Sequence, residues 1–390
     1  MKILMIAPVP FFAPRGTPIA IFGRLRALSS LGHDVDLIIY HVGKDIVIPG
    51  VNIYRIQNLP FIKEVPVGPS WTKVLLDVLV VTKAFRMLLS DRYDLLHTHE
   101  EASVFGSVLA KIFKIRHMYD FHSSIPEALG NFGYGRFSLL IKLFEWIERR
   151  VIQGSDAIIA ISPALADYIR KIDKIVPIEV IENSIEEVDI SSIKDESLKT
   201  FKCEYSLLDR EKIVLYVGTF EPYQGLELII DSVELVIKRF KEVKFVFVGG
   251  RSDQIQCYRD IADERGVSSY FLFTGIRPPE EIPMFFNIAQ VLVSPRISGL
   301  NPPLKIYGYL QSGKPIVATN NICHTQVLSP EIAYLVEPNP GDIAEGIVYA
   351  LENPKLGEKM GERARQFFEE KYNYSNFVKL TDKILRLATK

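Results

Sequence analysis

Cysteine is scarce. Cys203, Cys257 and Cys323 are three in number and widely spaced, which excludes a disulfide framework and a cysteine-rich zinc cluster and predicts a reducing, cytoplasmic compartment. An excess of one charge is also lacking. Lysine plus arginine number 46 against 47 acidic residues, so the chain has no overall basic surplus of the kind that nucleic-acid binding draws on. Long apolar runs are missing too. The run from Ile3 to Val9 stops at prolines and an arginine without a small-residue cleavage site, and reads as a first strand rather than a signal peptide. Val74 to Leu89 is strongly apolar, yet Asp77, Lys83 and Arg86 interrupt it, well short of the ~18 uncharged residues a spanning helix needs. The sequence therefore predicts no membrane crossing. Low-complexity tracts and short-period solenoid repeats are absent as well.

What is present is globular: 390 residues, 48% hydrophobic and 24% charged, enough for substantial cores in two or three domains. The first half alternates strand-like runs (Lys2 to Ala7, Asp34 to Tyr40, Asn52 to Arg55, Leu95 to Thr98, Arg116 to Asp120, Ala157 to Ile161) with helical patterns such as Ile19 to Ser30, closed by Gly32, and Glu101 to Phe113. After a polar stretch, Asp189 to Asp209, a second series begins: Lys212 to Val217, Lys244 to Val248, Tyr270 to Thr274, Val291 to Ser294, Ile316 to Thr319 and Ala333 to Val336. Such alternation predicts an α/β protein of two Rossmann-like domains with parallel sheets. Each opens with a strand running into a glycine- and proline-containing loop, Ala7 to Pro18 and Val217 to Gly225. Ligands bind at the carboxyl ends of such strands, so a cleft between the domains is the expected site. The boundaries predicted are 1–188, 189–371, and a last helix in 372–390 that packs back on the first domain.

Ser294 to Gly313 carries the clearest local signal. Asn301 as N-cap, Pro302 at the first helical position and Gly313 at the end predict a short helix. Its N-terminus would attract an anion, with Lys305 in the first turn and Arg296 nearby adding full charges. A capped helix with a solvated Lys305 explains the same pattern.

The order and spacing of several motifs decide between these. Arg15-Gly16-Thr17, the strand end at Asp94 to Glu100, Asp120-Phe121-His122-Ser123-Ser124, Asp156 to Pro163, Asn183-Ser184, Tyr216 to Gly225 and Pro303 to Thr319 together resemble family-4 glycosyltransferases, retaining enzymes of the GT-B fold, over nearly the whole chain. The resemblance implies that a nucleotide-diphosphate-sugar donor lies against Arg15, Gly16, Gly218, Thr219, Gln224, Arg251, Ile276, Gly299, Leu300 and Asn301. It implies that His122, Arg296 and Lys305 act on the reacting groups without a metal or a separate cofactor. The family's usual arginine and lysine fall here on Thr219 and Gln224, and its two glutamates on Leu300 and Gly308. Gly308 either leaves room for a ligand or Tyr223, or admits tight helix packing. His97 and His99, beside Glu100 and Glu101, lack a fourth ligand at metal spacing and are expected to be structural. Asp120 either orients His122 or simply ends its strand.

The acceptor, a glycan, lipid-linked or small molecule, is assigned to the first domain. Phe11-Phe12, Phe61 to Leu89 with Trp71, and Asn131 to Val151 with Lys142, Trp146, Arg149 and Arg150 mix apolar and basic groups, as a surface resting on a membrane does. Interdomain burial or core packing is the reading favoured by the sequence. Two alternatives to transfer stand beside it: a sugar-nucleotide epimerase of the same fold, and a nucleotide-sugar-binding protein without turnover.

Overall fold

The computed structural model describes residues 1–11, 16–66, 68, 70–131, 137–182 and 193–390. It divides into two compact units, Met1–Ile185 with Tyr374–Lys390, and Glu186–Asn373.

The strands of the first unit are β1 (Lys2–Ile6), β2 (Asp34–Ile39), β3 (Val51–Arg55), β4 (Leu95–His99), β5 (Arg116–Phe121), β6 (Ala157–Ala160) and β7 (Ile178–Val180). Its helices are α1 (Gly16–Ser30), α2 (Trp71–Ser90), α3 (Ala102–Phe113), α4 (Ile125–Asn131), α5 (Ser138–Gln153) and α6 (Pro163–Ile172). The sheet runs β3-β2-β1-β4-β5-β6-β7, with every strand pairing parallel. Strands buried on both faces have no polar side to spare, which is why Ile3-Leu4-Met5-Ile6 is a continuous apolar run with no exposure. The strand β7 is an addition to the six expected; three residues at a sheet edge are too few to show a period.

The second unit opens with α7 (Asp195–Glu204) inside the polar stretch. There follow β8 (Lys212–Val217), α8 (Leu226–Ile237), β9 (Val243–Val248), α9 (Ser252–Glu264), β10 (Phe271–Gly275), α10 (Ile282–Ile288), β11 (Val291–Ser294), α11 (Lys305–Ser312), β12 (Ile316–Thr319), α12 (Ile322–Thr325) and β13 (Tyr334–Val336). Helices α13 (Pro340–Glu352) and α14 (Pro354–Lys371) complete it. The sheet order is β10-β9-β8-β11-β12-β13, again parallel throughout. The final helix α15 (Tyr374–Ala388) belongs to the first unit: Phe377, Ile384, Leu385 and Ala388 lie in one core with Ile21, Leu25 and Leu28 of α1 and with Ile3 and Met5 of β1.

One local prediction fails. The α11 helix begins at Lys305 rather than Pro302, and Leu304, not Asn301, occupies its N-cap without a side-chain bond. Asn301 and Pro302 each precede a proline, and a following proline ring pushes its predecessor out of the helical region. Helical hydrogen bonding starts only once both are passed.

Candidate active site

In an open parallel sheet the chain leaves two adjacent strands in opposite directions at one place, and a crevice opens at their carboxyl ends. The strand orders put that place between β8 and β11 in the second unit and between β1 and β4 in the first.

At the β8/β11 junction the two strands pair only through Val291 with Val214 and Leu292 with Leu215. Beyond that, Tyr309 spans the gap: its hydroxyl accepts from the Val217 N–H at 3.0 Å and donates to the Val293 carbonyl at 3.2 Å. This tyrosine seats α11 on the junction. Its role is a contact between residues far apart in sequence, which no local pattern discloses.

The loops leaving β8 and β11 lock together. Gly225 has φ +70°, and a Cβ there would lie 2.3 Å from the Pro295 carbonyl oxygen. The Ile297 N–H donates to the Tyr223 carbonyl at 3.0 Å. Lys305, the first residue of α11, reaches into this corner. Its Nζ donates to Gln224 Oε1 at 3.0 Å and lies 3.8 Å from the centre of the Tyr216 ring. A Cβ on Gly218 would come within 3.1 Å of the same Nζ. Gln224 in turn donates to Thr219 Oγ1 at 3.4 Å, and Tyr216 donates its hydroxyl proton to the Thr219 carbonyl at 2.6 Å. The two uncharged residues thus brace the lysine.

Arg296 completes the corner. Its Nε donates to the Ser298 carbonyl at 2.8 Å and its guanidinium lies 5.1 Å over the Tyr223 ring. Gly299, at φ +114°, is a glycine for that reason: a Cβ would sit 2.3 Å from Arg296 Nη2. Among the described residues neither Lys305 nor Arg296 pairs with a carboxylate. Burial pulls the Lys305 ammonium well below its ordinary range, and the Arg296 charge pulls it further. A desolvated cation with a like charge beside it favours an anion over water.

The helix terminus contributes less than expected. The N–H groups of Ile306 and Tyr307 are taken by the Pro303 and Leu304 carbonyls, so anion binding here falls mainly on the side-chain cations. Leu300 gives its carbonyl to Gln326 at 2.6 Å, and Asn301 is half-buried just before the helix. Two other predicted residues stand apart. Arg251 pairs with Glu221 at 3.2 Å and Asp253 at 3.3 Å, so its charge is already answered. Ile276 is exposed just past β10, at the sheet edge rather than the junction. Gly308 packs against α10 and not against Tyr223: among the described residues, the atoms a Cβ would meet belong to the Phe286 ring, at 3.3 Å. Helix packing, not ligand approach, explains this glycine.

The first unit presents a different chemistry. His97 and His99 on β4 share a face of the sheet with Asp120 on β5 and with His122 just past it, because β4 and β5 pair His99 with Asp120. All four are buried. His99 Nδ1 lies 3.1 Å from His122 Nε2, which is 3.4 Å from Asp120 Oδ1. Arg24 of α1 donates its Nε to Asp120 Oδ2 at 3.1 Å and its Nη1 to Thr381 of α15 at 2.7 Å. Burial alone would raise the Asp120 carboxyl, but Arg24 and then His122 hold it well below the usual carboxylate range. Burial lowers His97 and His99, His99 the more strongly. The donor atoms of His97, His99 and Asp120 lie within 4.8 Å of one another, but the Arg24 guanidinium already neutralises the only carboxylate of the three.

Beside the cluster, Glu100 adopts φ +51°, a strained conformation for a side chain with a Cβ. It accepts from Thr17 at 3.2 Å and Ser123 at 3.4 Å, and burial raises its carboxyl. In the sequence Glu100 stands only as the end of a strand landmark and a neighbour of the histidines, not as a site residue; its place directly after the central strand β4 is the signal that marks it. Gly16 is the first residue of α1, whereas Arg15, Phe12, Asn183 and Ser184 lie outside the described residues.

Residues 17–187 match the model for glycosyltransferase family 4, and residues 200–367 that for glycosyl transferases group 1. The chain is a group 1, family-4 glycosyltransferase of GT-B fold. This glycosyltransferase is 26% identical to an uncharacterised glycosyltransferase of Methanocaldococcus jannaschii, over 100% of its own length and 98% of the relative's. It is 22% identical to a phosphatidyl-myo-inositol mannosyltransferase of Mycobacterium tuberculosis, over 92% and 90% of the two chains. Its fold is that of sucrose-phosphate synthase from Thermosynechococcus elongatus, with a TM-score of 0.78 at 19% identity over 99% and 98% of the chains. The Anabaena protein HepE, solved with UDP and glucose, matches at a TM-score of 0.76 and 16% identity over 99% of both chains. None of the described helices is long and apolar enough to cross a membrane.

Proposed function

We propose that the enzyme transfers a sugar from a nucleoside-diphosphate sugar to an acceptor hydroxyl with retention of the anomeric configuration, without a metal. The observation that carries this reading is the Lys305–Arg296 corner, where two cations converge at a switch point with no carboxylate between them. A diphosphate supplies the missing negative charge. The solved complex of the HepE protein with UDP-glucose supports the same class of donor.

In the reaction the bond between the anomeric carbon and the diphosphate oxygen breaks, the acceptor oxygen bonds to that carbon, and the acceptor proton leaves for a phosphate oxygen. The protein's task is to stabilise the departing diphosphate with preorganised charge, which Lys305 and Arg296 do. Thr219 and Gln224 act by fixing Lys305 rather than by touching the phosphates as cations. His122, buried against His99 and Asp120, orients a hydroxyl of the acceptor or the sugar. The acceptor is a glycan, a lipid-linked sugar or a small hydroxylated molecule, held by the first unit.

A thermal-shift panel of nucleotide sugars tests the donor. A ligand at a hundred times its dissociation constant stabilises the folded state by about 2.7 kcal/mol, a shift readily seen. A panel in which no nucleotide sugar and no nucleoside diphosphate moves the transition overturns the reading. The lack of carboxylates at Leu300 and Gly308 favours one competing reading, a nucleotide-sugar-binding protein. Stabilisation by a donor with neither hydrolysis nor transfer to any acceptor offered decides for it.

A further inference from the structure

The outer face of the first unit's α2–α3–α5 layer is apolar where solvent should make it polar. On α2 the buried stripe is Leu76, Val80, Ala84 and Leu88, as a helix on a sheet requires. The opposite, exposed stripe is Trp71, Val74, Leu75, Val78, Phe85 and Leu89, so the helix shows apolar side chains on both sides. The next two helices continue the pattern. Val108 and Ile112 are exposed on α3, and Leu139, Leu143 and Trp146 on α5. α2 packs on α3 and α3 on α5, and Phe85 meets Phe113 edge-on at 5.6 Å across the first seam. The apolar groups therefore form one layer instead of scattered points, and a layer of this extent marks an interaction surface.

Charge on these helices is sorted. The carboxylates of Asp77 and Glu148 turn inward, Asp77 accepting from Tyr40 at 2.7 Å and Glu148 from Ser124 at 3.0 Å. Glu145 is the acid left on the exposed side, whereas Arg86, Lys111, Lys142, Arg149 and Arg150 are exposed among the apolar groups. The Arg150 guanidinium lies 5.5 Å over the Trp146 ring.

We infer that this face docks on an anionic lipid bilayer. Apolar side chains interleaved with long cations suit a headgroup boundary, where the former enter the acyl region and the latter reach the phosphates. A second copy of the chain would bring these cations against themselves, and the core of a protein interface is normally poor in lysine. The inference goes beyond the transfer reaction and does not depend on it, because docking is read without donor or acceptor.

The chain carries its own probe, since both of its tryptophans, Trp71 and Trp146, lie on this face and are 88% and 55% exposed. The experiment is flotation of the full chain with vesicles of phosphatidylcholine alone or mixed with phosphatidylglycerol, alongside tryptophan emission and quenching by brominated lipid. Co-flotation with the anionic vesicles, a blue shift and quenching are expected, all weakening with salt. Val78→Asp with Leu139→Asp should abolish them while leaving the circular dichroism spectrum and melting temperature unchanged, because both side chains are exposed. Replacing Lys142, Arg149 and Arg150 by glutamine should weaken partitioning about 5-fold per cation. Absence of binding to anionic vesicles at low salt overturns the proposal, as does equal partitioning into neutral ones. Lipid-independent self-association that shields both tryptophans also overturns it and assigns the face to a second copy.

Discussion

The two switch points occupy the same place in their sheets and treat charge in opposite ways. At β1/β4 the buried carboxylate of Asp120 meets Arg24 at 3.1 Å, with His97 and His99 held toward their neutral forms around it. At β8/β11 Lys305 and Arg296 face each other's charge, and their partners among the described residues are the Gln224 amide, the Tyr216 and Tyr223 rings and the Ser298 carbonyl, none of them anionic. The first corner answers its buried charge internally, although both ring nitrogens of His97, His99 Nε2 and Asp120 Oδ1 are buried there without a hydrogen bond among the described residues. The second brings two cations together with no carboxylate paired to either among the described residues, which is why we propose an anion for it, and fold alone does not distinguish the two, since both come from the same strand–loop–helix plan.

The largest test removes the internal balance of the first corner. Asp120→Ala leaves the Arg24 guanidinium buried without its partner and should cost roughly 3–5 kcal/mol of unfolding free energy in urea titration. Adding Arg24→Met should restore most of that loss. A single substitution costing under about 1 kcal/mol would mean that the cluster is not held by this pair.

The next effect belongs to the second corner. Lys305→Ala should weaken donor binding by about 10- to 150-fold, the worth of a charge-assisted hydrogen bond, without destabilising the ligand-free protein. Calorimetric titration measures both the affinity and its proton balance. Burial depresses the Lys305 ammonium when the site is empty, and a bound diphosphate raises it again, so binding takes up a proton and affinity falls as the pH rises. Donor affinity unchanged in the alanine variant removes Lys305 from the site.

Gln224→Lys sharpens the contrast from the other side. It sets a second ammonium against the Lys305 Nζ, now 3.0 Å from the amide oxygen, and should lower ligand-free stability by about 1–3 kcal/mol. Saturating donor should narrow that gap; an equal loss with and without donor would separate Gln224 from the anion site. The smallest change is expected at Gly308. An alanine gains about 1 kcal/mol of helix propensity but must move the Phe286 ring, 3.3 Å from the new Cβ, so stability should stay within ~1 kcal/mol. A larger fall in donor affinity than in stability would place a ligand at Gly308 after all.

Much of the fold is legible in the residues because doubly covered strand segments such as Ile3–Ile6 and Ile213–Tyr216 write themselves as apolar runs between helical periods. The start of α11 was misread because the N-cap pattern at Asn301 competes with two consecutive prolines, and the prolines win. At the sites, sequence position gives Lys305, Arg296 and His122, with Asp120 as a candidate partner of the last, but not the partners of the two cations. The Asp120–His99 juxtaposition depends on the register of β4 against β5, and the Tyr309 bridge on two strands separated by more than seventy residues. The outward face of α2 was misjudged for a related reason. A helix with apolar stripes on two opposite sides reads as core, and only the structure shows Trp71, Val78 and Leu89 facing out.

The return of α15 to the first unit has a consequence in time. Thr381 supplies a partner of Arg24, and Phe377 and Ile384 fill the core around α1, yet all are made after the whole of the second unit. Domains generally fold as units while synthesis proceeds at about 5–20 residues per second. The second unit can therefore finish first on the ribosome, and the first unit, though begun earlier, waits for its closing piece.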